Sequence, residues 1–354
     1  MRFSTFAKSI HGKKYRERGM PCQDSSDVLE FDSVQTIAVA DGHGGKDYFR
    51  SDTGSRLAIK ATFEQVKVFC NGISEGETFS ENSIRNFEFK LWEEWQKAVK
   101  DDWIKNPVRV EEERWKNVSD KYKARYISAD EQYIPVAYGT TLICAVSIGW
   151  QVLLVQIGDG SCVVLQQDGE FKVPMPPDNE SFGYLTSSLC DVNGYKKFRH
   201  AVLNCEEDSP LAPVAIFLST DGIDNCYPIG NNEKYLYKFY ANTVIDSTIK
   251  NGFRLTRDSL CDKLLPYMTE HGSNDDISLA YLMTKDLNLL KRSLEKYHLQ
   301  TVKQTPPQVI KQTPQVVKQT PLPAEEVQTN IAEQAAQLRK RLLPAWGEER
   351  KNKT

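Results

Sequence analysis

The sequence predicts an α+β fold that is followed by an extended C-terminal tail. Apolar runs of strand length recur and end at acids or glycines, as in Thr36–Ala40 and Gln151–Ile157. Residues 46–70 and 80–125 carry apolar side chains at helical spacing. Beyond residue 298 the composition changes to a repeat rich in threonine and proline. These observations indicate a mixed domain with a separate tail.

Composition narrows the class of protein. The chain has 354 residues, 40% of them hydrophobic, and a formal net charge of -3. This length allows one large domain or two ordinary ones, and so small a charge gives no general affinity for nucleic acid. No apolar run approaches the length that crosses a membrane. The eight cysteines lack CxxC spacing and no secretory segment opens the chain, so we expect thiols in the cytoplasm.

The first half of the chain is predicted to hold a strand-like piece, a basic segment and two helical regions. The basic segment, Lys13–Arg18, is typical of a solvated loop but could also contact phosphate, because guanidinium groups match phosphate geometry. The helix over 46–70 should break at Gly72–Gly76. The region 80–125 shows an apolar stripe at i, i+4 spacing, which consists of Phe87, Leu91, Trp95 and Val99.

The second half is predicted to begin with a β-meander over residues 136–174. Gly149-Trp150 and Asp168-Gly169 are its tight turns, so Asp168 is assigned to a turn and not to a functional site. Residues 174–210 contain several prolines and predict a loop or flap. Residues 225–252 are predicted to be partly helical, and a helix over 287–298 is predicted to close the domain.

The tail divides into two parts. Residues 299–323 repeat Lys-Gln-Thr-Pro three times, which predicts an extended linker whose threonines could be kinase substrates or part of a plain spacer. Residues 324–354 begin with an amphipathic helix over 324–343. That helix could dock on its own domain, residues 1–298, but we favour a partner protein. Its narrow, alanine-rich face makes a membrane surface a poorer match.

The stretch Val39–Gly45 combines a strand end with side chains that can do chemistry. Asp41 can lose its proton and coordinate a hard cation, and His43 titrates near neutral pH. Taken alone, an Asp-Gly pair after a strand is typical of a hairpin turn.

Acids flank other strand-like runs in the same way. Asp159 and Asp221 each follow a run, Asp275 and Asp276 precede one, and Asp24 lies in an earlier loop. A fold that brings these strand ends together makes a carboxylate cluster, which repels itself unless cations neutralise it. Ligation by oxygen alone selects Mg²⁺ or Mn²⁺.

Six motifs occur in this order, and five of them contain the acids named above: Gln23-Asp24, Asp41–Gly45, Gly139-Thr140-Thr141, Gly158–Gly160, Ser219–Gly222 and Asp275–Ser278. The ordered set resembles the PP2C-type metal-dependent protein serine/threonine phosphatases, particularly their bacterial branch. The resemblance implies an α-β-β-α sandwich of two antiparallel sheets flanked by helices, with a binuclear metal centre at one end of the sheets.

The resemblance also implies the site. The implied metal ligands are Asp24, Asp41, the Gly42 carbonyl, Asp221 and Asp275, with Asp159 for a third, weaker ion. Asp276 is the rival of Asp275, and the spacing to Ile277-Ser278 favours Asp275. Two Mn²⁺ or Mg²⁺ ions would share Asp41 and activate a water, and His43 would protonate the leaving serine or threonine oxygen.

Two positions depart from the family pattern. The family commonly has an arginine five residues before the acid equivalent to Asp24, where this chain has Gly19, so Arg18 or Arg16 would have to bind the substrate phosphate. Gln23 stands where a glutamate is more usual, which leaves one fewer negative charge near the metals.

The sequence therefore predicts a protein serine/threonine phosphatase that uses Mn²⁺ or Mg²⁺ and acts on phosphoproteins, with a cognate Ser/Thr kinase as a candidate partner. The departures at Gly19 and Gln23 motivate an alternative, a weak or inactive phosphatase-like module that binds a phosphoprotein or partner. No Cys-x5-Arg and no GxxxxGK[ST] sequence occurs, which disfavours a cysteine-dependent phosphatase and a P-loop NTPase.

Overall fold

The computed structural model describes residues 3–72, 78–109, 112–176, 186–206, 208–228 and 232–304. The strands are β1 (Phe3–Ile10), β2 (Ser25–Phe31), β3 (Val34–Ala40), β4 (Leu142–Ile148), β5 (Gln151–Ile157), β6 (Ser161–Gln166), β7 (Phe171–Lys172), β8 (Arg199–Asn204), β9 (Pro213–Ser219) and β10 (Ile277–Thr284). The α-helices are α1 (Lys13–Arg16), α2 (Ser51–Asn71), α3 (Glu81–Lys105), α4 (Glu113–Asn117), α5 (Asp120–Ile127), α6 (Ile134–Ala137), α7 (Asp221–Asp224), α8 (Asn232–Phe239), α9 (Asp246–Ser259), α10 (Leu265–His271) and α11 (Leu287–Gln304). A 3₁₀ turn lies at Gly194–Lys197, and π-helical turns lie at Tyr240–Ile245 and Leu260–Leu264.

The strands form two antiparallel sheets. One has the order β1-β10-β9-β6-β7 and the other β2-β3-β4-β5-β8. Strand β3 shows why they stack. Its alternate residues Ile37 and Val39 belong to the core between the sheets, whereas Ala38 and Ala40 lie in the core beneath the helices. Both faces of the strand are buried over Ile37–Ala40, which accounts for the apolar run of those four residues.

Helices cover the outer face of each sheet. Leu91 and Trp95 of α3 pack in the core beside β4 and β5, and residues of α8, α10 and α11 pack in the core beside β9 and β10. The order of layers is helix, sheet, sheet, helix, so the predicted α-β-β-α sandwich is confirmed. The predicted stripe on α3 is also confirmed, because each of its four residues is at most 2% exposed.

Several local predictions need correction. The helical region 80–125 is three helices, since α3 ends at Lys105, just before Pro107. Residues 174–210 are not entirely a loop, because β8 lies there and pairs with β5. Strand β8 is only half-buried, and its sequence therefore lacks the continuous apolar run that predicts the central strands.

Other predictions hold. The turns at Gly149-Trp150 and Asp168-Gly169 connect β4 to β5 and β6 to β7, as predicted. The closing helix is present and extends beyond 298 to Gln304.

All eight cysteines lie in the described residues, and none of them forms a disulfide bond. Among the described helices, none is long and apolar enough to cross a membrane. Residues 305–354, which include the Thr-Pro repeats and the predicted helix 324–343, lie outside the described residues.

Candidate active site

The acids predicted from the sequence lie around one cavity at an edge of the sandwich. Asp41 follows β3, Asp159 follows β5, Asp221 follows β9, and Asp275 precedes β10. Because β9 and β10 are antiparallel, the end of the first lies beside the start of the second. These four residues, together with Asp24, line a cavity of about 380 Å³.

The backbone of Asp41 is fixed by the Gly139-Thr140-Thr141 motif. The Thr141 amide donates to the Asp41 carbonyl over 2.8 Å, and the Thr140 hydroxyl donates to the same oxygen over 2.8 Å. The Asp41 amide in turn donates to the Thr141 hydroxyl oxygen. A motif about one hundred residues away along the chain therefore sets where the first carboxylate stands.

Asp275 and Asp276, which are adjacent in sequence, have different surroundings. Both oxygens of Asp276 accept backbone N–H groups, those of Gly12 and Gln23, each over 2.6 Å. Asp275 accepts one backbone N–H group, that of Asp276, on Oδ1 over 3.1 Å, and its Oδ2 faces the ammonium of Lys14 at 3.4 Å. Since Asp276 is already occupied with backbone donors, Asp275 is the member of the pair that remains available to a ligand.

Asp24 is buried beneath the cavity and held by hydroxyl groups. Its Oδ2 accepts from Thr220 over 2.7 Å and from Ser278 over 2.9 Å. Neither donor carries charge, so Asp24 is hydrogen-bonded but not neutralised.

Several carboxylates of the site are buried close to one another. Burial, and after it the neighbouring Asp276, raises the pKa of Asp24 well above its usual value. The pKa of Asp41 is also raised well above its usual value, first by burial and then by the charges of Asp24 and Asp221. The pKa of Asp221 is raised by burial and then by Asp159. The fold therefore holds together carboxylates that disfavour one another's ionisation.

His43 lies on the cavity wall and is held on several sides. Its amide donates to the Gly139 carbonyl over 3.0 Å, and its Nε2 lies 2.8 Å from the Ser188 hydroxyl. Ser188 donates its hydrogen to the Thr140 carbonyl, so His43 Nε2–H is the donor in that contact. This arrangement leaves Nδ1 as the nitrogen free to gain or lose a proton. Burial lowers the pKa of His43, although Asp159 and Asp191 oppose that shift.

The two departures from the family pattern have structural roles. The side-chain amide nitrogen of Gln23 donates to the His43 carbonyl over 3.3 Å and to the Ser51 hydroxyl over 2.8 Å, so Gln23 ties the loop after β3 to α2. Its Oε1 is buried and has no partner among the described residues. Gly19 has a positive φ of 65° and ends the turn after α1, a conformation that favours glycine.

In the basic segment Lys13–Arg18, the structure identifies a candidate site residue, Lys14, that the sequence analysis did not. Lys14 lines the cavity, whereas neither Arg16 nor Arg18 is among the described residues lining it. Arg16 pairs with Glu270 of α10, and Arg18 is exposed. Arg16 lies two positions after Lys14 in a helical turn and so points to a different side. No local signal in the segment separates Lys14 from Arg16, because the partner of Arg16, Glu270, lies 254 residues away along the chain.

Within the described ranges, no three His, Cys, Asp or Glu side chains lie close enough together to hold a metal ion. The donor chemistry nevertheless suits a hard cation, because the carboxylates around the cavity and the backbone of Gly42 offer only oxygen. The raised pKa values point the same way, since a nearby cation would offset the repulsion.

Comparison with known proteins gives the family. The sequence profile described as Protein phosphatase 2C matches residues 11–254. No protein of curated function matches the chain.

Three solved structures are similar in fold. Serine/threonine phosphatase Stp1 from Staphylococcus aureus is 13% identical, with 80% of this chain and 96% of that chain covered and a TM-score of 0.48. The S. agalactiae serine/threonine phosphatase is 14% identical, with 80% and 100% covered and a TM-score of 0.43. A C. elegans sex determining protein is 14% identical, with 84% and 68% covered and a TM-score of 0.49. Because the family profile spans more than half of the 354 residues, this chain belongs to the protein phosphatase 2C family of serine/threonine phosphatases.

Proposed function

We propose that this protein hydrolyses phosphoserine and phosphothreonine in proteins, using two Mn²⁺ or Mg²⁺ ions and a water nucleophile. The observation that carries the proposal is the set of acids from four strand ends around one cavity, with His43 on its wall. Asp41, Asp221, Asp275, Asp24 and the Gly42 carbonyl would hold the two ions, and Asp159 would serve a third. When bound, such ions make a water more acidic and offset the charge of the phosphate oxygens.

His43 is proposed to supply a proton to the leaving serine or threonine oxygen. The Nε2–H contact with Ser188 fixes the ring, and Gln23 and Gly139 hold its backbone. A positioned imidazolium that carries a proton on Nδ1 can protonate a poor leaving group such as an alkoxide, which lowers the barrier. No cysteine is among the described residues that line the cavity, which agrees with attack by water rather than by a thiol.

Lys14 is proposed to contact the substrate phosphate in place of the expected arginine. Its ammonium lies at the cavity, 3.4 Å from Asp275 and 3.2 Å from the Tyr15 hydroxyl. A lysine offers a point charge rather than a bidentate fork, so it would attract phosphate with less control of orientation.

The alternative function, a phosphatase-like module that binds without turnover, has an observation in its favour besides the departures at Gly19 and Gln23. The described residues hold no ready-made group of three metal ligands. The two functions differ in whether phosphate is released, and the first experiment below separates them.

We expect Asp41→Asn to lower the Mn²⁺-dependent hydrolysis of a phosphothreonine peptide by about 100-fold, because a shared anionic ligand is lost. Asp168→Asn is the matched control, since Asp168 precedes a glycine after a strand just as Asp41 does but lies in the β6–β7 turn. Release of phosphate is measured with Mn²⁺ and with EDTA. Full activity of Asp41→Asn, or equal activity in EDTA, would contradict the metal assignment. Wild-type protein that binds peptide but releases no phosphate would favour the alternative.

His43→Ala should slow hydrolysis of a phosphothreonine peptide by about 100-fold and that of p-nitrophenyl phosphate much less. Nitrophenolate leaves without being protonated, whereas a threonine alkoxide does not. The kcat values for both substrates are compared with those of His298→Ala, an exposed histidine on α11. Equal losses on the two substrates would show that His43 does not act as the general acid.

Lys14→Ala should raise KM for the phosphopeptide by about tenfold, and Lys14→Arg should restore part of the loss because it keeps the charge. Arg16→Ala breaks a surface ion pair with Glu270 and should change KM little. A larger effect from Arg16→Ala than from Lys14→Ala would reverse the assignment.

A further inference from the structure

A second cavity, of about 690 Å³, lies where the edges of the two sheets meet under α2. We call it the edge groove. The bottom of the groove is formed by Ala7–Ser9 of β1 and by four residues of β2, namely Ser25, Ser26, Asp27 and Leu29. Each of these strands is the first of its sheet. Asp24 lines both the edge groove and the active-site cavity, so the two are neighbours.

One side of the edge groove is formed by a single face of α2. Arg56, Lys60, Phe63 and Lys67 all line it, and their spacing of four, seven and eleven residues from Arg56 keeps them on one side of the helix. Lys8 of β1 also lines the groove. This face is therefore basic with an aromatic ring among the charges.

Part of this positive charge has no acidic partner among the described residues. Lys8 and Lys60 are exposed, and no carboxylate pairs with either within the part of the chain that the structure describes. Lys67 pairs with Glu64 at 3.2 Å, but both side chains are about half exposed, and such pairs contribute little. Arg56 pairs with Asp52 at 3.3 Å. Within the described ranges, two of the four cationic side chains, Lys8 and Lys60, are therefore unpaired in a groove that also holds two exposed acids, Asp27 and Glu64.

Hydroxyl groups at the bottom of the groove present acceptors for main-chain N–H groups. Ser278 donates to Asp24, and the Ser9 and Ser26 oxygens continue the chain of contacts at 2.6 and 2.8 Å. Each hydroxyl has one hydrogen, so Ser9 donates to Ser278 and Ser26 donates to Ser9. The lone pairs of Ser26 are then left for a donor that enters the groove.

The dimensions fit a short extended peptide. Arg56 to Lys67 spans about 16 Å along the helix at 1.5 Å per residue. An extended strand covers that distance in about five residues. Basic side chains along the side formed by α2 suit carboxylate or phosphate side chains, and the bottom of the groove suits main-chain N–H groups.

We propose that the edge groove binds an acidic segment of about five residues in the phosphoprotein substrate, beside the active-site cavity. This proposal rests on the proposed function and names a substrate class for it, phosphoproteins that carry a glutamate- or aspartate-rich segment. Charge complementarity is the basis of recognition, so binding weakens as ionic strength rises.

The test uses the full-length protein and a labelled, phosphate-free peptide with five consecutive glutamates, whose binding is followed by fluorescence anisotropy. Lys8→Glu/Lys60→Glu should weaken binding by about tenfold. Lys97→Glu/Lys121→Glu makes the same change of charge on α3 and α5, outside the groove, and should alter binding by about twofold or less. Thermal unfolding of each variant checks that it is folded.

Equal weakening in both variants, or equal affinity for a peptide with five glutamines, would overturn the proposal. In a second arm, wild-type kcat/KM for a phosphothreonine peptide linked to the glutamates should exceed that for its glutamine counterpart by about tenfold. The difference should disappear in Lys8→Glu/Lys60→Glu, and its absence in wild type would also overturn the proposal. If wild-type protein hydrolyses neither these peptides nor an aryl phosphate, the proposed function fails, while the anisotropy arm still decides whether the groove binds acidic peptide.

Discussion

The burial of several carboxylates close to one another is the constraint on which the rest of the structure depends. Asp24, Asp41 and Asp221 each have a raised pKa, and burial is the largest cause for all three. A raised carboxyl pKa means that the folded state loses stability as pH rises through that pKa. The sandwich must therefore supply enough packing to hold these groups together, and it does so by placing them at the ends of fully buried strands such as β9 and β10.

Neutral hydrogen bonds position the acids without cancelling their charge. Thr220 and Ser278 hold Asp24, and the Gly139–Thr141 motif holds the backbone of Asp41. Asp276 differs, because its two backbone donors tie the loop before β2 to the start of β10. The cavity thus keeps charge available for an added cation while a separate acid maintains the local structure. This division of roles is consistent with the proposed metal-dependent hydrolysis.

Much of this arrangement could be predicted because its signals are local. Strand runs followed by acids identified Asp41, Asp159 and Asp221, and the structure brings them to one cavity. The choice between Lys14 and Arg16 was not local, since the partner of Arg16 lies 254 residues away. The role of Gln23 was likewise hidden, because its contacts with His43 and Ser51 exist only once β2, β3 and α2 have packed.

The most direct test of this account is the unfolding temperature of wild-type protein and of Asp41→Asn, each with and without Mn²⁺. Removing one repelling charge should make metal-free Asp41→Asn more stable than metal-free wild type. Mn²⁺ at about 100 times its Kd should raise the wild-type midpoint by about 5 °C and leave the variant nearly unchanged. If Mn²⁺ does not stabilise wild type, or stabilises both proteins equally, the carboxylates around this cavity do not form the cation site.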